Sequence, residues 1–257
     1  MSEASVPLYL SRLILNPNCR QVRSELAHPY EMHRTVMHAF DGYPADNGKN
    51  RREKLNVLFR TDVDDRSSRV VVYVQSTVKP DWSYFDDCKS YLLVEADLPN
   101  PGCKNVAASY RNLQNGQTLS FSLRANPTKR IAHPSKGDDL LKGKRVALLR
   151  EEEQIAWLVR KGDEREKGCP GGFEILAEEI QEQNGEIRGI AHVSTAREGK
   201  QTGYKEDEER AYRMTHLAVR FDGLLRITDA DAFRETLTRG IGPAKAFGCG
   251  LMLVRRI

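Results

Sequence analysis

What most limits the fold of this chain is the order of its apolar segments. LYLSRLILN, residues 8–16, is a run suited to a buried strand, and PNCRQVRSELA leads from it into a stretch with helical spacing at 28–40. The polar DGYPADNGKNRREK reads as a loop, and LNVLFRT and RVVVYVQST read as strands on either side of the turn DVDDRSS. KPDWSYFDDCKSYLL then predicts a helix and QTLSFSLRANP a strand, so the first half runs strand, helix, strand, strand, helix, strand. The second half follows that order without repeating the residues. GKRVALL is a strand, and REEEQIAWLVRKGDER a helix with Ile155, Ala156, Leu158 and Val159 as its apolar positions. GFEILAEEI, GEIRGIAHVS and YRMTHLAVRFDGLLRI are strands, DADAFRETLTR is a helix with Asp229 as its N-cap, and GLMLVRR closes as a strand. Two βαββαβ units in tandem predict an α+β protein of two ferredoxin-like (RRM-like) domains, residues 1–125 and 126–257, with helices on one face of each antiparallel sheet.

At 257 residues the chain is long enough for two cores. Charged residues make up 30% and hydrophobic residues 39%, and no window approaches the roughly 18–20 uninterrupted apolar residues of a membrane span, so no membrane partner is expected. MSEASVPLYLSRLIL has no basic segment ahead of its short apolar run, which predicts a cytoplasmic protein rather than a secreted or imported one. Cys19, Cys88, Cys103, Cys169 and Cys249 are scattered singly with no CxxC spacing and read as reduced, structural residues. A net charge of +4 fits a polyanionic partner without requiring one.

The helix in HPYEMHRTVMHAF, residues 28–40, carries the most chemistry. Pro29 suits its first position, where a missing N–H is no loss. At 3.6 residues per turn Met32, Val36, Ala39 and Phe40 share one face, Tyr30, His33 and Met37 lie on an adjacent arc, and Arg34 and His38 lie beyond it. Tyr30 and His33, spaced i and i+3, can address one ligand, or they can simply flank the core. Near the other end, RGIGPAKAFGCGLM places Gly240, Gly242, Gly248 and Gly250 between a helix and the last strand. This is neither a Rossmann nor a Walker pattern, but four glycines permit close approach of backbone amides to a phosphate, with Lys245 adding charge. A tight loop needing positive φ is the plainer alternative.

No HExxH, HxxxH or Cys/His tetrad occurs, and DVDDR and EDEE are carboxylate runs of a kind more often solvated than chelating, so neither metal nor cofactor is expected. No GxSxG or Cys/His signature points to acyl transfer. A histidine and a tyrosine beside a phosphate-binding loop suit phosphodiester transfer by proton shuttling, and RNA brings its own nucleophile, the 2′-hydroxyl.

HPYEMHRT, VQSTVKPDW, LRANPTKR, GKRVALL followed by IAWL, and RGIGPAKAFGCGLM, in that order, resemble the CasE family, the CRISPR repeat-RNA endoribonuclease of type I-E systems. The likeness covers almost the whole chain from Tyr9 onward. It implies tandem ferredoxin-like domains and metal-independent cutting of precursor CRISPR RNA at the base of the repeat hairpin. It also implies that the enzyme stays on the product beside the other Cascade subunits. The family's catalytic histidine falls on His33 and its assisting tyrosine on Tyr30; its Gly-rich, RNA-supporting loop falls on residues 240–250. His38 stands where the family has a lysine, so the charge at that position depends on pH.

A neutral-range imidazole can pass a proton either way, while a phenol, a weaker acid, suits orienting or donating. For the RNA stem, shape and phosphate charge carry most of the affinity. Arg197, Lys200 and Lys205 in the hairpin TAREGKQTGYK are expected to follow the stem, with Lys129, Arg130, Lys144 and Arg145 at the junction and Arg34 on the helix as further phosphate contacts. Two other readings are a non-catalytic RNA-hairpin-binding protein of the same fold and a metal-dependent nuclease built on the DVDDR turn.

Overall fold

The computed structural model describes residues 6–44, 51–64, 69–88, 90–94, 98–132, 142–163, 170–181, 187–207 and 210–257. The chain opens with β1 (Tyr9–Leu15), α1 (Arg20–Ala27), α2 (Pro29–His38) and α3 (Arg51–Lys54), followed by β2 (Leu58–Asp64), β3 (Arg69–Ser76), β4 (Gly102–Asn105) and the short α4 (Ala107–Arg111). The four strands form one sheet in the order β2-β3-β1-β4, with every neighbouring pair antiparallel. Strand alternation sends Leu13, Leu15, Val70, Val72 and Val74 to one face, where they meet Met32, Val36, Ala39 and Phe40 of α2 and its C-terminal end. Pro29 opens α2, Glu31 lies in its first turn and His38 in its last, each where the helix dipole favours it.

The helix expected at residues 79–93 is a single 3-10 turn, Ser83–Asp86. Asp81 accepts a hydrogen bond from the Ser83 amide at 3.0 Å, a local side-chain turn that competes with helix formation. Trp82, Phe85 and Tyr91 instead fill the first core with their rings, Phe85 lying 6.0 Å from Trp82 and 4.8 Å from Tyr91 between centroids.

QTLSFSLRANP does form a strand, β5 (Thr118–Ala125), but it does not close the first sheet. The strand that does is β4, GCKN, a short edge without apolar alternation. β5 lies at the centre of a second sheet, antiparallel to β12 (Arg210–Ile227) on one side and β13 (Met252–Arg256) on the other. That sheet runs β11-β12-β5-β13, with β11 spanning Val193–Asp207 and β8 (Phe173–Ile175) also pairing with β12. Leu119, Phe121, Leu123 and Ala125 point from β5 into a core shared with Trp157 and Leu158 of α5 (Glu151–Gly162) and Phe233 and Leu237 of α6 (Ala230–Arg239). The chain therefore changes sheets between β4 and β5, ahead of Thr118 rather than after residue 125. GKRVALL stays out of both sheets: β7 (Arg145–Ala147) pairs only with β6 (Thr128–Arg130) in a separate ribbon, as β9 (Ala177–Gln181) does with β10 (Ile187–Ala191). Asp229 caps α6 as expected, accepting from the amides of Asp231 and Ala232.

β12 pairs with β5 only over Val219–Arg226, while its earlier residues pair with β11 alone, so the two strands run out of the sheet as an arm. Among the described residues no helix is long and apolar enough to cross a membrane.

The faces of the two sheets not covered by helices turn toward each other. Arg60 of β2, 1% exposed, donates to the Ser122 carbonyl of β5 at 2.9 Å and pairs with Asp62 at 2.7 Å. Gln75 of β3 donates to the Leu237 carbonyl at the end of α6 at 2.8 Å. Where α6 stops, Gly240 adopts φ 74° and ψ 160°, a region open essentially to glycine alone, and a Cβ there would lie 2.7 Å from a Leu58 methyl and 2.9 Å from the Gly250 carbonyl oxygen. Gly240→Ala is accordingly expected to destabilise the protein by about 3 kcal/mol, combining backbone strain with a clash between the two units. Urea unfolding monitored by tryptophan fluorescence measures this, and a midpoint equal to that of the wild type would show that the loop relaxes freely.

Candidate active site

The predicted pair on α2 is assembled as the helical spacing requires, with ring centroids of Tyr30 and His33 5.8 Å apart. His33 is 7% exposed, lies nearly parallel to the Phe59 ring of β2 at 6.1 Å, and its Nδ1 makes no hydrogen bond among the described residues. Burial, reinforced by the nearby positive charge of Arg52 on α3, pushes the imidazole down to about 4, so at neutral pH it is uncharged. A neutral imidazole has one nitrogen that donates and one that accepts, and here Nδ1 is buried without a partner among the described residues.

The second unit reaches the same place through the Gly-rich loop. Its 3-10 turn, Lys245–Phe247, presents Phe247, whose ring lies 5.6 Å from Tyr30 and 4.0 Å from His216 of β12. His216 is 6% exposed with an unpaired Nε2, and burial together with the positive charge of Arg124 pushes it, too, down to about 4. Arg124, on β5, holds the loop: its Nη1 donates to the carbonyls of Phe247 and Gly248, each at 2.9 Å, and its Nε donates to Glu198 of β11 at 2.5 Å. Beside this assembly opens a cavity of 420 Å³ whose walls include Pro29 and Met32 of α2, Phe59, Arg124, Glu198 and Phe247.

All four glycines of the loop have positive φ. A Cβ at Gly242 would meet the Trp157 ring at 2.9 Å, and one at Gly248 would meet the Phe59 ring at 3.1 Å. In this structure the loop backbone is thus packed against side chains of both units. Lys245 is half-buried at the start of the 3-10 turn.

The remaining predicted residues fall into three places. Arg34 and His38 point outward from α2, Arg34 facing Glu31 at 3.5 Å and His38 bonded to Asp41 at 3.0 Å, where it lowers the pKa of that carboxyl. Lys129, Arg130, Lys144 and Arg145 come together on the β6-β7 ribbon, where Arg130 is opposite Arg145 and Ile131 donates to the Lys144 carbonyl at 3.0 Å; Lys129 also pairs with Glu153 at 3.1 Å. Arg197 is exposed on β11 at the root of the arm; the backbone of Lys200 follows it there, and the side chains of Lys200 and Lys205 lie outside the described residues. Cys169 lies outside them as well. Of the DVDDR turn, Asp62 is engaged by Arg60, and residues 65–66 are outside the described set. Among the described residues no group of three or more His, Cys, Asp and Glu side chains is placed to hold a metal ion.

Sequence reasoning did not find Arg52, Phe59, Arg124, Glu198, His216 or Phe247. These are joined by contacts between distant segments, and the one local signal was an arginine at the end of the otherwise serine-lined polar side of β5.

Comparison with known proteins identifies the family of the chain. The family model described as CRISPR associated protein matches residues 8–256. The CRISPR-associated endoribonuclease Cse3 of Thermus thermophilus is 35% identical over 255 residues, covering 96% of this chain and 99% of that protein. The Cascade subunit CasE of Escherichia coli is 35% identical over 143 residues, 54% of this chain and 59% of that protein. Among solved structures, Cse3 bound to a 19-nucleotide RNA superposes with a TM-score of 0.67 at 33% identity over 97% of this chain and 99% of that one. Cas6e from Escherichia coli does so with a TM-score of 0.56 at 26% identity over 97% of this chain and all of that one. With a family match and a full-length relative both in hand, the chain belongs to the CRISPR-associated protein family.

Proposed function

We propose that this protein is a metal-independent endoribonuclease that cuts precursor CRISPR RNA at the base of the repeat hairpin. It remains on the product as a subunit of a Cascade complex in the cytoplasm. The observation that carries the reading is the Tyr30–His33 pair, with its buried, unpaired imidazole nitrogen set where α2 meets the loop of the second unit. The names of the relatives, a CRISPR endoribonuclease and a Cascade subunit, support it. So does the solved Cse3 complex with an RNA that represents a pre-cleavage state. The fold is read as two ferredoxin-like domains, the second starting at β5. The strand order β4-β1-β3-β2 in the first sheet, and β13-β5-β12 followed by β11 and β8 in the second, supports that description.

In the reaction, the 2′-oxygen of the nucleotide before the cut attacks the adjacent phosphorus. The bond to the 5′-oxygen of the next nucleotide breaks, leaving a 2′,3′-cyclic phosphate and a 5′-hydroxyl. His33, neutral before RNA binds, accepts the 2′-hydroxyl proton, and Tyr30 orients or protonates the departing oxygen. Arg52 beside His33 supplies positive charge to the phosphorane-like transition state. Arg197, Lys200 and the Lys129, Arg130, Lys144 and Arg145 ribbon contact the stem phosphates. Arg34, His38, Lys245 and the loop backbone at Gly240, Gly242, Gly248 and Gly250 approach the RNA nearer the cut.

Three outcomes are expected. A repeat RNA with a single 2′-deoxy substitution before the cut binds normally and resists cleavage, and the unmodified repeat yields a 5′-hydroxyl product in excess EDTA; a 5′-phosphate, or cleavage that EDTA abolishes, would favour the metal-dependent reading.

His33→Ala and the double replacement Arg197→Ala, Lys200→Ala have opposite effects. The first leaves hairpin affinity within a few-fold while single-turnover cleavage falls about 10²- to 10⁴-fold. The second weakens binding and flattens the dependence of log affinity on log salt, with little change in the rate of the saturated complex. A His33→Ala protein that binds and cuts normally makes α2 a structural helix only.

Folding stability depends on pH with a definite sign. An unfolded histidine takes up its proton near pH 6.5, whereas folded His33 and His216 do so only near 4, so between those values the unfolded chain binds more protons. The stability due to their neutral burial is complete above about 6.5 and is lost as the pH falls toward 4. Urea titrations across that range are expected to show a shallower decline for the His33→Gln, His216→Gln double variant than for the wild type. Equal slopes would mean that the two imidazoles are not held neutral.

A further inference from the structure

Glu198 occupies an irregular position in the arm. Arg197 is opposite Val219 and Gly199 is opposite Ala218, so Glu198 is an extra residue with no partner in the β11-β12 ladder, the mark of a β-bulge. A bulge re-aims a side chain, and this one turns the carboxylate inward to Arg124, a guanidinium only 5% exposed on its side chain. Arg124 in turn fixes the carbonyls of Phe247 and Gly248, and Phe247 bears on Tyr30 and His216. Glu198 also lines the cavity beside α2 together with Met32, Pro29 and Phe247.

On the strength of this geometry, and resting on the function proposed above, we propose that Glu198 is a positioning residue for cleavage. Through Arg124 it seats Phe247 against Tyr30, so that the arm that engages the RNA stem also sets the rings that carry the chemistry. With Glu198 present, the guanidinium has its charge balanced and its Nε bonded, and its Nη1 stays aimed at the loop. Without it, a buried cation has only neutral partners among those contacts, and it gains by rotating toward water through the adjoining cavity. The loop carbonyls then lose their donor, and the Phe247 ring loses its fixed seat. Glu198 is one residue from Arg197, so a stem pressing on the arm acts within one residue of this strut.

The test uses the full chain and a CRISPR repeat-hairpin transcript. Glu198→Ala is expected to keep hairpin affinity within about threefold while single-turnover cleavage at saturation falls about 10- to 100-fold, the scale for a reacting group displaced by about an ångström. Glu198→Gln, which keeps an oxygen to accept from Arg124 Nε, is expected to recover most of the rate. Because the effect passes through the ring pair, adding Glu198→Ala to His33→Ala should slow cleavage little beyond His33→Ala alone. Wild-type speed in Glu198→Ala would overturn the proposal, as would a loss confined to affinity or a fully multiplicative double variant. Should Glu198→Ala fail to fold, as judged by its melting transition, Glu198→Gln and its combination with His33→Ala decide by the same criteria. If the wild type does not cut the transcript at all, the proposed function falls and this inference with it; normal wild-type cutting with a normal Glu198→Ala rate removes the inference alone.

Discussion

Two buried guanidiniums govern how the halves of this protein meet. Arg60 projects from the open face of the first sheet and Arg124 from the open face of the second, at 1% and 4% exposure. A charge taken so far from water costs several kcal/mol unless hydrogen bonds and a counter-ion replace the lost hydration. Arg60 finds Asp62 on its own strand and the Ser122 carbonyl on β5; Arg124 finds Glu198 on β11 and two carbonyls of the loop before β13. The Arg60 bond to Ser122 crosses from one sheet to the other, whereas Arg124 stays within the second unit and fixes the loop whose Phe247 meets α2 of the first, so the halves are set at defined points rather than by apolar contact alone. Planar guanidinium donors suit such a joint, since they fix direction as well as distance.

That joint determines the environment of the site. Phe59 follows Leu58 and precedes Arg60 on β2, and Phe247 lies within the loop that Arg124 grips, so both rings facing the α2 pair are supplied by the elements on which the arginines act. The result is a chain of rings, His33, Tyr30, Phe247 and His216, with an uncharged imidazole at each end. An apolar site of this kind weakens protonation of its histidines before substrate arrives and strengthens every electrostatic contact once a phosphate enters. Arg52 and Arg124 place positive charge near the two ends without forming an ion pair with either imidazole.

How much of this could be read from the sequence depended on the range of the interactions involved. α2 was legible because its information is local: a proline at the first position, an apolar stripe every three or four residues, and Tyr30 and His33 one turn apart on its edge. Asp229 was legible as a cap for the same reason. β4 was not, because GCKN is a short edge strand with little apolar character, and it is recognised only by its pairing with β1. β5 was found as a strand but given to the wrong sheet, since an alternating pattern shows that a strand has one apolar face and says nothing about which sheet it joins. The helix drawn through residues 79–93 failed because its aromatic residues matched a helical period while the backbone was held by a local turn and by ring packing. Arg124, Glu198 and Phe247 could not be grouped beforehand: they are 74 and 123 residues apart along the chain, and a bulge, which shifts register by one residue, leaves no periodic trace.

The Gly-rich loop shows how one motif can satisfy two demands at once. Its glycines were read as permitting backbone to approach a phosphate, and their conformations are indeed ones that other residues rarely adopt. Yet the atoms a Cβ would strike belong to Leu58, Trp157, Phe59 and Arg124 at Gly240, Gly242 and Gly248, and to Ile241 and Lys245 of the loop itself at Gly250, so bulk is already excluded by the protein itself. The loop needs those glycines in order to pass between the two units and turn the Phe247 and Gly248 carbonyls inward to one guanidinium. A loop fixed this firmly on its inner side keeps its outward-facing groups in place without a bound ligand to order them. Under the proposed function, pre-organisation toward RNA and packing between the two units are then the same property of the backbone, and a substitution at these glycines disturbs both together.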